Sequence, residues 1–288
     1  MQGGRSMLQL IDGKVISAQI KEEVREQVAK RRADGKSVCL AVVQVGEDPA
    51  SSIYVRNKKK ACEYTGIESV AFELKEETTQ EELLSLVGRL NQDPGIHGIL
   101  VQLPLPPHID EDVVVRAISP GKDVDGFHPE NVGKMFVGED GLVSCTPAGV
   151  MEMLRRSGIS VRGKNCVVVG RSNHVGKPMG LLLLQENGTV TFAHSQTEDL
   201  KEITKTADIL VVAMGKPRFI TSEYVKEGAV IIDVGMHRNA DHKLCGDVDF
   251  EDVKDKVSAI SPVPGGVGLM TVAMLMCNCV KAAIKQEV

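Results

Sequence analysis

In the stretch YVRNKKKACE, Tyr54 and Lys58 stand four residues apart, so on a helix they share one face. The neighbours of Lys58 on that face, Ala61 and Cys62, are apolar or nearly so. A lysine among them is partly desolvated, which suits it to move protons. A structural lysine with its stem on the core and its amine toward water is the rival reading. Arg56, Lys59 and Lys60 point elsewhere and read as a solvated face. Gln102 closes the apolar run Ile99-Leu100-Val101, at the sheet edge where open α/β folds place ligands. LPLPP follows as a rigid apolar wall. Asp123 and Asp125 lie in a glycine-flanked loop. A carboxylate there either accepts two parallel hydrogen bonds from an amidine-like group or closes an Asx turn on its own backbone.

A second set of residues points to a phosphate. NCVVVGRSNHVGKPMGLLLL places a buried strand, a glycine-bounded loop and a helix in succession, which lets backbone N–H groups and a helix N-terminus meet a pyrophosphate. The glycines, Gly170 and Gly176, are spaced G-x5-G rather than GxGxxG, which alone is a weak signal. The next strand runs out in Phe192-Ala193-His194-Ser195-Gln196, with no acid to hold a ribose 2′-hydroxyl. Arg171 and Ser172 instead offer a cation and a hydroxyl, which suit a 2′-phosphate and so NADP over NAD. Pairing of Arg171 with a surface acid is the plainer alternative. PVPGGVG, residues 262–268, is either a close backbone approach to a ligand or a tight turn.

The elements that must carry these residues alternate. Residues 12–32 repeat apolar side chains at helical spacing (Ile16, Ile20, Val24, Val28), and residues 38–45 form a continuous apolar run closed by Gly46. A helix over 51–65, a strand over 69–74, a helix over 79–91 opened by a capping sequence, and a strand over 96–102 follow. Residues 120–147 lack periodicity and read as an interdomain passage. Alternation resumes with strands over 165–170, 189–193, 209–213, 230–234 and 257–260, and helices over 175–187 and 271–285. Short punctuators between such elements imply an α/β fold with parallel sheets.

Length and composition are compatible with two domains of that kind. The chain has 288 residues, net charge −5 and 42% hydrophobic residues, an ordinary globular balance with no basic stripe for nucleic acid. No apolar run reaches the length needed to span a bilayer, and MQGGRSM has no secretory apolar region, so Met7 is a candidate start and a cytoplasmic setting is expected. Seven scattered cysteines do not make a disulfide framework, and no spacing suits a metal site.

Eight segments occur in the order of one family. YVRNKKKACEYTGI, GILVQLPLP, KDVDGF, TPAGVMEML, GRSNHVGKPM, HSQT, IIDVG and PVPGGVGLMT span residues 54–271. Together they resemble the bifunctional methylenetetrahydrofolate dehydrogenase/cyclohydrolase family of the bacterial FolD type. The resemblance implies two α/β domains with a cleft between them, residues 1–145 completed by a C-terminal helix at 270–288, and a Rossmann-like NADP-binding domain at 146–269. It also implies a homodimer working in one-carbon metabolism and purine biosynthesis. The implied substrate is 5,10-methylenetetrahydrofolate, oxidised with NADP to the methenyl form and hydrolysed to 10-formyltetrahydrofolate. A dehydrogenase-only member and a non-catalytic NADP-binding module are the alternatives.

Carried over, Lys58 is the principal catalytic residue, Tyr54 packs on the folate, Gln102 tunes Lys58 and Asp125 holds the pterin. Val101, Leu103, Pro104, Gly268 and Thr271 complete the implied substrate site. Thr146, Gly170, Arg171, Ser172, Val175, Gly176, Ser195, Met236 and Thr271 form the implied cofactor site. Two positions depart from the family pattern. Leu269 replaces a common proline, which is expected to loosen its loop, and Met236 stands where isoleucine is frequent.

Overall fold

The computed structural model describes residues 8–46, 49–238 and 243–287, without the side chains of residues 49–53; Met7 lies outside the described residues. The chain divides into two compact units, residues 18–145 with 272–288 and residues 1–17 with 146–271.

Strand β1 (Gln9–Leu10) and helix α1 (Gly13–Ala33) open the chain, followed by β2 (Cys39–Val45), α2 (Pro49–Thr65), β3 (Glu68–Leu74), α3 (Gln80–Gln92) and β4 (Gly98–Val101). Strand β2 is central, parallel to β3 on one side and β4 on the other. All seven of its residues are buried, as a covered central strand rich in Val, Leu and Ala requires, and its one polar side chain, Gln44, donates to Gly46 O at 3.1 Å. The apolar stripe of α1 is buried as its spacing predicts, and α3 starts in a reciprocal capping box between Thr79 and Glu82. A core of Ala41, Val43, Leu83, Val87 and Ile99 joins α3 to the sheet.

The passage expected over residues 120–147 is more ordered than its sequence suggests. After α4 (Glu111–Ala117) it contains α5 (Pro129–Val137) and the start of α6 (Cys145–Arg156). Helix α5 is held by its ends: His128 caps it, Pro129 occupies the first turn, and Gly138 terminates it in the left-handed conformation. Nine residues are too few for an apolar period to stand out.

The other unit is a six-stranded, wholly parallel, Rossmann-like sheet. Its elements are β5 (Asn165–Val169), α7 (Gly176–Gln185), β6 (Thr189–Ala193), α8 (Leu200–Thr204), β7 (Ile209–Val212) and β8 (Val230–Asp233). A short hairpin, β9 (His237–Arg238) with β10 (Leu244–Cys245), then α9 (Phe250–Val253) and β11 (Ala259–Ile260) complete it, and α10 (Val267–Lys285) follows, its residues from 272 onward belonging to the first-described unit. The order is β1-β11-β8-β7-β5-β6, so the winding reverses between β5 and β7.

Strand β1 departs from the expected division at residue 145. It pairs with β11, with the Gln9 N–H donating to Ser258 O at 2.9 Å and the Ile11 N–H to Ile260 O at 2.9 Å. A two-residue strand carries no periodicity by which sequence could assign it. Helix α10 begins four residues before the expected start at 271, so Leu269 lies in its first turn and donates its N–H to Gly266 O at 3.3 Å rather than loosening a loop. By length and composition α10 could cross a membrane, but over half of that stretch (56%) is buried, as in a core helix.

Candidate active site and nucleotide-binding loop

The helix face predicted for Tyr54 and Lys58 exists. On α2, Lys58 is 8% exposed beside buried Ala61 and Cys62, while Arg56, Lys59 and Lys60 are exposed. So buried a lysine must be hydrogen-bonded. Its Nζ donates to Gln102 Oε1 at 3.0 Å, and Gln102 Nε2 donates to Leu103 O at 2.6 Å. Gln102 follows β4, and its backbone N–H continues the sheet ladder to Val43 O at 2.8 Å. It therefore sits where the order β3-β2-β4 reverses direction, the usual crevice of such sheets. Tyr54 is half-buried, and that burial pushes its phenol up, keeping it a neutral hydroxyl. Val101 is buried, Leu103 is half-buried, and Pro104, joined to Leu103 by a cis peptide, is exposed.

The two aspartates separate. Asp123 is buried and consumed by the fold, accepting the His128 N–H at 2.7 Å and Asn131 Nδ2 at 3.0 Å. It also pairs in parallel with Ile99 of β4, which carries Asp125 alongside the strand that ends at Gln102. Asp125 is half-exposed. Its chain neighbours are pinned: Val124 O accepts from Asn278 Nδ2 at 2.8 Å and from Cys145 Sγ at 3.3 Å. At Gly126 (φ +74°) a Cβ would stand 2.5 Å from Ser144 N. The fully buried Cys145 thiol is pushed well up by burial, then up further by Asp125 and down by Lys58. Sequence reasoning missed Asn278, whose only signal was a polar residue on an apolar helix.

In the other unit the reversal between β5 and β7 carries the glycine loop. Gly170 has φ +143°, and a Cβ there would collide with Ala213 O after β7. A Cβ on Gly176 would collide with the Gly170 carbonyl. The loop thus closes to a tight bare-backbone turn at the N-terminus of α7. Ser172 Oγ accepts the N–H groups of Val175 at 3.2 Å and Gly176 at 3.3 Å, so its hydroxyl caps the turn. Arg171 and Ser195 are exposed, and β6 ends at His194-Ser195-Gln196 without a carboxylate. Thr146 and Thr271 meet, Oγ to Oγ at 2.9 Å. Met236 is exposed with its Sδ 3.7 Å from where a Gly268 Cβ would lie. Val175 is half-buried. A cradle open only to glycine, a helix N-terminus, an exposed arginine and no opposing acid fit a nicotinamide dinucleotide bearing a 2′-phosphate.

A buried lysine–glutamine pair in one α/β unit and a phosphate-type turn in a Rossmann-like unit define a two-domain, dinucleotide-dependent class of protein. Comparison with known proteins is more specific. A family model described as tetrahydrofolate dehydrogenase/cyclohydrolase, catalytic domain, matches residues 11–125, and the NAD(P)-binding domain model of the same family matches residues 144–287. The bifunctional protein FolD of Lachnoclostridium phytofermentans is 64% identical over 98% of this chain and 100% of its own. A crystal structure of the bifunctional FolD enzyme from Campylobacter jejuni is 49% identical, with TM-score 0.95 over 96% of this chain and 99% of that one. The Trypanosoma brucei enzyme, described in complex with NADP cofactor and inhibitor, is 40% identical with TM-score 0.92 over 96% of this chain and 98% of that one. The chain belongs to the tetrahydrofolate dehydrogenase/cyclohydrolase family.

Proposed function

We propose that this protein oxidises 5,10-methylenetetrahydrofolate to the methenyl form with NADP and hydrolyses that product to 10-formyltetrahydrofolate, as a cytoplasmic homodimer. The observation that carries the reading is the buried Lys58 amine donating to Gln102 Oε1 at 3.0 Å. An amine with one N–H committed to a fixed carbonyl has its lone pair aimed, so in its neutral form it takes the proton from an attacking water. Gln102 sets that aim and is itself held by Leu103 O. Tyr54, one helical turn before Lys58, packs on the folate and screens the amine from bulk water. Asp125 receives the paired N–H donors of the pterin. Val101, Leu103 and Pro104 form the apolar wall.

When bound, NADP would supply the hydride acceptor for the bridging carbon of the substrate. The chain's contribution is to hold it. The backbone from Gly170 to Gly176 and the α7 N-terminus, with Val175, take the pyrophosphate. Arg171, Ser172 and Ser195 take the 2′-phosphate, Thr146, Met236 and Thr271 line the reactive ring, and Gly268 and Thr271 face the substrate. The dimer and the cytoplasmic setting are part of this reading, supported by the family resemblance.

The test is an absorbance assay of purified protein with methylenetetrahydrofolate and NADP, with NAD in parallel, following NADPH and the methenyl intermediate separately. The reading expects NADPH formation with little methenyl accumulation, plus hydrolysis of supplied methenyltetrahydrofolate. Accumulating methenyl would reduce the activity to the dehydrogenase, and folded protein that binds NADP without turnover would leave a binding module. Sedimentation of the same sample reads the dimer.

A further inference from the structure

Two carboxylates that the proposed mechanism does not use are buried together at the carboxyl edge of the six-stranded sheet. Asp233, the last residue of β8, accepts the N–H groups of Gly235 at 2.9 Å and Asp247 and Val248 at 3.0 Å each. Asp247, with no exposed surface, accepts four donors: the N–H groups of Met214 at 2.8 Å, Gly215 at 3.1 Å and Lys216 at 2.8 Å, and His237 Nε2 at 2.7 Å. The backbone is fitted around them. A Cβ on Gly235 would stand 2.5 Å from the Asp247 nitrogen, and one on Gly246 would collide with the Asp233 carboxylate.

The groups that Asp247 gathers are not themselves fully buried. Residues 214–216 follow β7 directly after Ala213, whose carbonyl abuts Gly170, and Gly215 and Lys216 are exposed. Gly235 and His237 flank Met236, so the turn that presents this exposed side chain is tied to a buried carboxylate on each side. A carboxylate offers acceptors on both oxygens, whereas an amide of the same shape would turn an N–H toward donors on one of them.

We propose that Asp247 is a positioning residue for the nicotinamide nucleotide: through its four donors it holds the strand end after β7 and the Met236 turn in the arrangement on which the cofactor rests, with His237 as its side-chain strut. Asp247 does not touch the cofactor; it acts through the backbone of residues 214–216 and through the Met236 turn. The proposal rests on the NADP reading above and adds to it a residue outside the motifs that carry that reading.

The experiment titrates NADP into wild-type protein, Asp247→Asn and His237→Gln by calorimetry, and measures hydrolysis of supplied methenyltetrahydrofolate, which needs no nucleotide, on the same samples. Asp247→Asn is expected to weaken NADP binding by about tenfold or more and His237→Gln by about threefold, the scale of lost charge-assisted hydrogen bonds. Hydrolysis is expected to fall at least about fivefold less than affinity in Asp247→Asn, a split that general destabilisation would not produce. NADP affinity within about twofold of wild type in Asp247→Asn, or equal loss of affinity and hydrolysis, overturns the proposal. Should Asp247→Asn fail to fold, unchanged NADP affinity in His237→Gln does so. Wild-type protein that does not bind NADP would instead overturn the underlying reading.

Discussion

The sheet β3-β2-β4 of one unit and the centre β6-β5-β7 of the other have the same local order: in each, the first strand lies between its two successors, and the candidate site lies where the winding reverses. The two crevices are furnished oppositely. Beyond β4 it is side chains that are organised, with Lys58 buried and bonded to Gln102. Beyond β5 it is backbone that is organised, by glycines and by the buried pair Asp233 and Asp247, while Arg171, Ser195 and Met236 are left exposed. Proton transfer needs one group held in a fixed, partly desolvated place. A dinucleotide is held by many N–H groups and one or two charges, so its site is set by the path of the chain.

Removing the organised side chain should have the largest effect. Lys58→Ala is expected to lower hydrolysis of supplied methenyltetrahydrofolate by about 10²–10⁴-fold while NADP affinity by calorimetry stays within about twofold. A large loss of NADP binding in that variant would break the division of labour. The reciprocal change, Gly176→Ala, drives a Cβ into the Gly170 carbonyl and is expected to weaken NADP binding by more than about tenfold, because overpacking shifts the backbone that forms the cradle. Equal losses of both activities in Gly176→Ala would argue against a local effect.

Arg171→Ala should narrow the preference for NADP over NAD by roughly tenfold or more, from the ~1.5–3 kcal/mol of one charge-assisted contact. An unchanged ratio of kcat/KM values would place the 2′-phosphate elsewhere.

Acid separates the units by sign. Burial pushes Asp233 up to about 6, against backbone donors that pull it down and Asp247 that pushes it up. Its protonated form is thus favoured on folding: the stabilisation is complete below the ordinary aspartate range and is lost as pH rises through about 6. The span corresponds to on the order of 3 kcal/mol. Denaturant unfolding at pH 4.5 and 7 should show this slope in wild type and not in Asp233→Asn. In the other unit Asp140 is held down to about 2 by Lys281 and Lys285, so its contribution is present at neutral pH and lost as pH falls toward 2. That carboxylate is exposed and solvent-screened, so Lys285→Ala should change stability by less than about 1 kcal/mol, the smallest effect here.

Much of the candidate site was legible because its signals are local. A four-residue spacing puts Tyr54 and Lys58 on one helix face, Thr79 and Glu82 announce a capping box, and a glycine loop between an apolar run and a helix marks a nucleotide turn. Where elements are too short for a period, as in β1, α5 and the β9–β10 hairpin, local reading had nothing to count. Asp123 and Asp125 show a second limit. Two residues apart in one loop, they are equivalent in composition, and only the pairing of Asp123 with Ile99, His128 and Asn131 reveals which belongs to the fold.

By itself, then, the sequence determined the alternation of strand and helix, the desolvated face of α2 and the glycine turn before α7, all of which depend on contacts within a few residues. Tertiary structure alone decided that Gln102 meets Lys58 across 44 residues, that Asn278 pins the loop of Asp125 across 154, and that Asp247 gathers N–H groups 31–33 residues before it. A buried polar group has to find its partner wherever the chain brings one within 3 Å or so, and no periodicity records that meeting in advance.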